Sequence, residues 1–131
     1  MLDHGTLKFQ LEDDILIIEG RGPWNREAML LSSENADIVK KQRIKDKWGV
    51  IIILYGDPIH TPDAAQLLVE YVKYDKKNGR VATALILNGS KYPELGRRHI
   101  TDLYNQAGEI AEFFNNITDA KKWMRSLLDS E

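Results

Sequence analysis

The segment Leu7-Lys8-Phe9-Gln10-Leu11 alternates apolar and polar side chains, the period of a strand with one wet face. Glu12-Asp13-Asp14 then supplies a turn, and Ile15-Leu16-Ile17-Ile18-Glu19-Gly20 resumes as a second strand. So short a polar break predicts an antiparallel hairpin. Gly20, Gly22 and Pro23 stop the second strand, and Trp24 to Arg43 reads as a helix. Asn25 suits its cap, because a side-chain carbonyl there accepts from the open amides of the first turn. Ala28, Leu31, Ala36 and Val39 form a loose apolar stripe, and Lys40, Lys41 and Arg43 complement the negative end of the helix dipole.

Val50 to Tyr55 is apolar without alternation, which predicts a central strand buried on both faces. Gly56-Asp57-Pro58 ends it. In Thr61-Pro62-Asp63, Thr61 is expected to cap a helix, Pro62 to fill a position that needs no amide, and Asp63 to meet the positive dipole end. Ala65, Leu68, Val69 and Val72 are its expected buried face, and Asn78-Gly79 its end. Val81 to Leu87 repeats the buried-strand pattern and stops at Asn88-Gly89-Ser90. A helix from about Pro93 to Ala107 turns Leu95, Ile100, Leu103 and Ala107 inward and Arg97, Arg98 and Asp102 outward. Ile110 to Phe114 is a short strand. Thr118 is the expected cap of a last helix whose Ala120, Trp123, Met124, Leu127 and Leu128 keep helical spacing.

The order β-β-α-β-α-β-α-β-α predicts an α/β fold. Its sheet is five-stranded and mostly parallel, with an N-terminal antiparallel hairpin and four helices. With no repeat or long linker, residues 1–131 read as one domain. In such sheets the loops after the strand C-termini share one rim, and ligands prefer it. That rim gathers Arg21, Trp24 and Asn25, then Asp57, His60 and Thr61, then Asn88, Ser90 and Tyr92, and finally Asn115 and Asn116.

Composition narrows the chemistry. The chain of 131 residues has no cysteine, which excludes disulfides, thiolate catalysis and cysteine-held metal clusters. Eighteen basic residues stand against 20 acidic ones, for a net charge of -2, which argues against general nucleic-acid affinity. The longest apolar run, Val50 to Tyr55, falls far short of the roughly 20 residues that span a bilayer. No secretory or lipidation signal is visible, so a cytoplasmic location is the default expectation. Gly20-Arg21-Gly22 lacks the third glycine of a dinucleotide fingerprint, and Pro23-Trp24 would block backbone approach to a pyrophosphate. There is no phosphate-binding P-loop and no nucleophile-elbow serine. His4, His60 and His99 are scattered, and metal sites need three or four clustered ligands, so neither metal nor cofactor is expected.

Some residues carry two readings. Asp57 ends a central strand, where receiver domains place their phosphoacceptor. The acidic pair that would hold magnesium is missing from Gly20-Arg21-Gly22-Pro23, so a turn residue before Pro58 is expected. His60, with Asp57 or Asp63, has the composition of a general base, against the plainer expectation of a loop histidine in solvent. His99, beside Arg97 and Arg98, is expected on a wet helix face. Trp24 either covers the end of the core or forms an exposed anchor, and Trp123 is expected in the core. The Thr61 hydroxyl sits where an added phosphate would meet open amides and change a surface by nearly two charges.

The element order resembles the STAS superfamily, more closely its bacterial SpoIIAA-like branch. So does the strand Gly49 to Tyr55 running through a short loop into the helix at Thr61, and so does the closing segment Phe113-Phe114-Asn115-Asn116-Ile117-Thr118-Asp119-Ala120-Lys121-Lys122-Trp123. The resemblance implies a mixed sheet with helices around it, and binding rather than catalysis. In anti-sigma antagonists a Ser or Thr at the start of the helix after the third strand is phosphorylated by a partner kinase. The matching stretch here is His60-Thr61-Pro62-Asp63-Ala64, without the usual preceding acid and following glycine. Three functions follow as expectations. The first is a protein-interaction module using the rim and Thr61 as a phospho-switch. The second is a carrier of an apolar small ligand or lipid in a pocket lined by Trp24, Ile59, Tyr92 and Phe114. The third is an enzyme using His60 and Asp57. A homodimer through the edge strand Leu7 to Leu11 is also compatible with the sequence.

Overall fold

A computed structural model describes residues 6–43 and 46–130. His4 lies outside them. Strands β1 (Thr6–Glu12) and β2 (Ile15–Arg21) form the hairpin, followed by α1 (Arg26–Arg43), β3 (Trp48–Tyr55), α2 (Pro62–Lys77), β4 (Arg80–Asn88), α3 (Pro93–Ala107), β5 (Ile110–Phe113) and α4 (Ile117–Leu128). The five strands lie in sequence order in one sheet. β1 pairs antiparallel with β2, and every later pair is parallel. The expected architecture is present, with β3 at its centre.

Alternation along each strand divides the core into two layers. Ile15 and Ile17 of β2, Ile51 of β3 and Ala82, Ala84 and Ile86 of β4 pack under α4 through Ala120, Met124 and Leu128. Gly49 makes that contact possible, because a Cβ there would fall 2.2 Å from the Met124 sulfur. Leu54 and Leu85 face the opposite way, toward buried residues of α1, α2 and α3. A third cluster, Leu16, Trp48 and Val50, lies under Ala36 and Val39 of α1. Three helices thus share one face of the sheet and a single helix covers the other.

Some expected details hold and others are corrected. Asn25 does cap α1, its Oδ1 accepting the Ala28 amide at 2.9 Å. Thr61 precedes α2 but makes no side-chain cap bond. Its hydroxyl donates to Asp63 Oδ1 at 2.7 Å, and that carboxylate accepts the Ala64 amide instead. Thr118 does not cap α4 but lies inside its first turn, because Asn116 takes the cap and accepts the Asp119 amide at 2.9 Å. Leu31 and Leu95, expected inward, are 41% and 56% exposed. Trp123 is only half-buried, with its ring against Phe114 on the α4 side. No described helix is long and apolar enough to cross a membrane.

Candidate functional site

The parallel strands bring the predicted loops to one rim, where they form three separate groups. In the first, Tyr55 donates from its hydroxyl to Glu19 at 2.9 Å, and the Arg21 guanidinium lies over its ring. That bond to Glu19 holds the Tyr55 phenol above its ordinary pKa. In the second, Asp57 ties the β3 loop to the β4 loop: its Oδ1 accepts the Ser90 hydroxyl at 2.6 Å and the Lys91 amide at 3.0 Å. The Ser90 bond holds the carboxyl below the usual range. The Asn88 carbonyl accepts the Gly56 amide beside it, at 2.9 Å. Asp57 is therefore the turn residue expected, and its carboxylate is committed to the β4 loop. Tyr92 is exposed at the start of α3, and Asn115 is exposed after β5.

The third group was not legible as a unit. Trp24, buried at 5% exposure, stacks on His60 with centroids 5.9 Å apart, and His60 meets the His99 ring at 5.2 Å. The Trp24 carbonyl accepts the Thr61 amide, which fixes the β2–α1 connection against the start of α2. The His60 amide donates to His99 Nε2 at 3.2 Å, and the two imidazoles approach to 3.1 Å between Nδ1 and Nε2. His60 is thus half-buried rather than a free loop histidine, and His99 turns inward from the wet face expected of it. Burial, then the neighbouring His99, pulls His60 down to about 4. Burial lowers His99 as well. Two neutral rings in contact are the consequence near pH 7. Among the described residues, no group of three or more His, Cys, Asp or Glu is arranged to hold a metal.

Trp24 and His60 form one end of a cleft of about 770 Å³ between α1, α2 and the sheet. Its floor is Leu16 and Ile18 of β2, Ile52 and Leu54 of β3, and Leu85 of β4. α2 contributes Leu68, Tyr71 and Val72. α1 contributes Met29, Ser32, Ser33 and Ala36. Three of those four are small, and α1 adds Asp37, Lys40 and Lys41 to the lining while it leaves Leu30, Leu31 and Ile38 outward. The pocket expected from the sequence was lined by Trp24, Ile59, Tyr92 and Phe114. Only Trp24 lines this cleft: Ile59 and Tyr92 are exposed, and Phe114 packs with Trp123.

The opposite end of the cleft is charged and self-paired. Arg80 donates through Nε to Glu109 at 2.7 Å, through Nη1 to Asp75 at 3.1 Å, and through Nη2 to Thr83 at 2.7 Å. Thr83 donates on to Glu109, and Lys76 reaches the other Glu109 oxygen at 2.8 Å. Lys40 crosses from α1 to Asp75 of α2 at 2.8 Å, over the Trp48 ring. The Trp48 indole donates to the Asn78 carbonyl at 2.8 Å. Sequence reading missed this network. Its one visible trace was an Arg opening a strand of otherwise buried type, a position where a charge is tolerated only when paired.

A crystal structure of an uncharacterised protein of the DUF3478 family from Shewanella loihica PV-4, described as having a SpoIIAA-like fold, matches at a TM-score of 0.61 and 14% identity. The match covers 91% of this chain and 92% of that one. The chain has a SpoIIAA-like fold. No protein-family model and no curated protein matches it.

Proposed function

We infer that this protein is a non-catalytic binding module, a single domain that holds an apolar or amphipathic small molecule between α1, α2 and the sheet. One observation carries the reading: a cleft of about 770 Å³ with an apolar floor and a few convergent polar groups. Ligand sites run from about 300 to 1,000 Å³ with that kind of lining. The chemistry at its ends favours binding over turnover. His60 is a weak base with a value near 4, and Asp57, its expected partner, is bonded to Ser90 and Lys91.

The test is uptake of the neutral apolar dye N-phenyl-1-naphthylamine, together with native mass spectrometry of protein purified from its own cells. Wild type is expected to bind the dye and to carry additional mass. Ala36→Phe, which places a ring in the cleft from α1, is expected to weaken dye binding at least tenfold. Bare protein that takes up no dye overturns the reading.

A protein-interaction role draws on a second observation. Ile59, Tyr92 and Leu95 are 44%, 66% and 56% exposed, and Thr61 is exposed as well. Under this reading Thr61→Glu changes which proteins are captured from the native cell, whereas Thr61→Ala does not. Identical capture by wild type and both variants removes it.

A further inference from the structure

We propose that Asn88 is a site of spontaneous covalent modification, closing on the Gly89 backbone nitrogen and converting to aspartate and isoaspartate, whereas the fold protects Asn78. These are the two asparagines of the chain that precede a glycine. In the step, the Gly89 nitrogen loses its proton and bonds to Asn88 Cγ. The Cγ–Nδ2 bond breaks, and ammonia carries that proton away. Water then opens the cyclic imide at one of its two carbonyls, which restores the ordinary chain or routes it through Cβ. One water is consumed, one ammonia leaves, and nothing is oxidised or reduced.

Attack needs a nitrogen that can reach Cγ, so the peptide between the two residues must turn. A following glycine permits this, because no side chain shields its nitrogen and its backbone is free to rotate. At the rim both residues are exposed, and a Cβ at Gly89 would meet nothing within 4 Å. Among the described residues, neither the Asn88 side-chain amide nor the Gly89 N–H is hydrogen-bonded, so both reacting groups are uncommitted. One bond opposes the turn: the Asn88 carbonyl accepts the Gly56 amide at 2.9 Å.

The pair at Asn78 is equally open to water by exposure but is held at every joint. Asn78 Nδ2 donates to the Tyr74 carbonyl at 2.8 Å, which commits the group that would have to leave. The Asn78 carbonyl accepts the Trp48 indole at 2.8 Å, and the Gly79 carbonyl accepts the Trp48 amide at 3.0 Å. Gly79 is also packed so closely that a Cβ there would fall 1.9 Å from the Asp46 carbonyl oxygen. Three bonds oppose the turn here against one at Asn88. The modified rim differs from the original in two ways. Either product adds a carboxylate to the β4 loop, next to the strand end that carries Asp57, and isoaspartate lengthens the backbone at the bond to Gly56.

The experiment ages the full chain in warm, mildly alkaline buffer, folded and in guanidinium chloride, and maps its peptides by mass spectrometry. Arg80 lies between the two pairs, so trypsin separates them. In the folded protein, position 88 is expected to gain the mass of NH replaced by O at least tenfold faster than position 78. A tenfold ratio corresponds to about 1.4 kcal/mol, the order of two net hydrogen bonds. In the denaturant the two positions are expected to react at similar rates. Isoaspartate at position 88, detected by enzymatic methylation of aged wild type and absent from Asn88→Gln, marks the route through Gly89. Folded protein that stays unmodified at position 88 while the denatured chain reacts overturns the proposal. So do equal rates at the two positions in the folded state, or aspartate formed without isoaspartate.

Discussion

Asn25 and Thr61 each stand one residue before a helix, yet only the asparagine caps. The extended backbone at Thr61 leaves its hydroxyl donating to Asp63, whose carboxylate serves the Ala64 amide. Asn25→Ala is therefore expected to cost about 1 kcal/mol in urea unfolding, and Thr61→Ala less than about 0.5 kcal/mol. Both residues were legible as helix starts. Which oxygen meets which amide was not, because Asp63 competes for the same turn. The histidine pair supplies a pH effect at this scale. At pH 7.5 the folded and unfolded chains both hold neutral imidazoles, and the pair contributes no pH dependence. Below the ordinary value of 6.5 the unfolded chain takes up protons that folded His60 refuses until about pH 4. Stability then falls across that window, by up to about 3 kcal/mol from His60. The facing groups temper this through Asp102, which favours the charged form of His99, and through the Pro58 carbonyl beside His60. His60→Phe should flatten the fall in urea midpoint between pH 6.5 and 4.5 relative to wild type. Parallel pH profiles for the two proteins would count against the buried pair.

At the scale of elements, the start of β4 and the end of α2 are held by charge as much as by apolar packing. Arg80 has 7% of its side chain exposed and Glu109 none, so removing one partner strands the other away from water. Arg80→Met is expected to lower the unfolding free energy by about 3–5 kcal/mol, measured by chemical denaturation. Gly79, between α2 and β4, has φ of +101°, and a Cβ there would fall 1.9 Å from the Asp46 carbonyl oxygen. Gly79→Ala should cost about 2–3 kcal/mol in the same assay, since strain and a backbone clash act together. The Asn78-Gly79 stop was readable as a helix end. The buried ion network was not, because Asp75, Arg80, Thr83 and Glu109 are spread over α2, β4 and the α3–β5 connection. Nothing local to any of them announces the others.

Across the whole molecule, the cleft is the feature that sets what the protein is able to hold. It arises because α1 turns Ser32, Ser33 and Ala36 toward the sheet and leaves Leu30, Leu31 and Ile38 outside. Helix α4, by contrast, places Ala120, Met124 and Leu128 directly on β3 and β4. The same sheet is therefore tightly covered on one side and loosely roofed on the other. Unfolding should become harder on adding a bound apolar ligand, by about 2.7 kcal/mol at a hundredfold excess over its dissociation constant. The thermal midpoint of wild type should rise with N-phenyl-1-naphthylamine, and that of Ala36→Phe should not.

The sequence alone determined the order of elements, the hairpin, the parallel sheet and the rim on which its loops meet. Those follow from apolar periodicity and turn chemistry, which act over a few residues. Tertiary structure decided that His60 and His99, 39 positions apart, would touch, that Trp24 would be buried with its indole unpaired, and that the buried Asp75, Arg80, Thr83 and Glu109 would hydrogen-bond one another. It also placed the cleft under α1 rather than at Phe114 and Tyr92. Each of these depends on which face a helix turns toward the sheet, and that is settled by packing between distant segments.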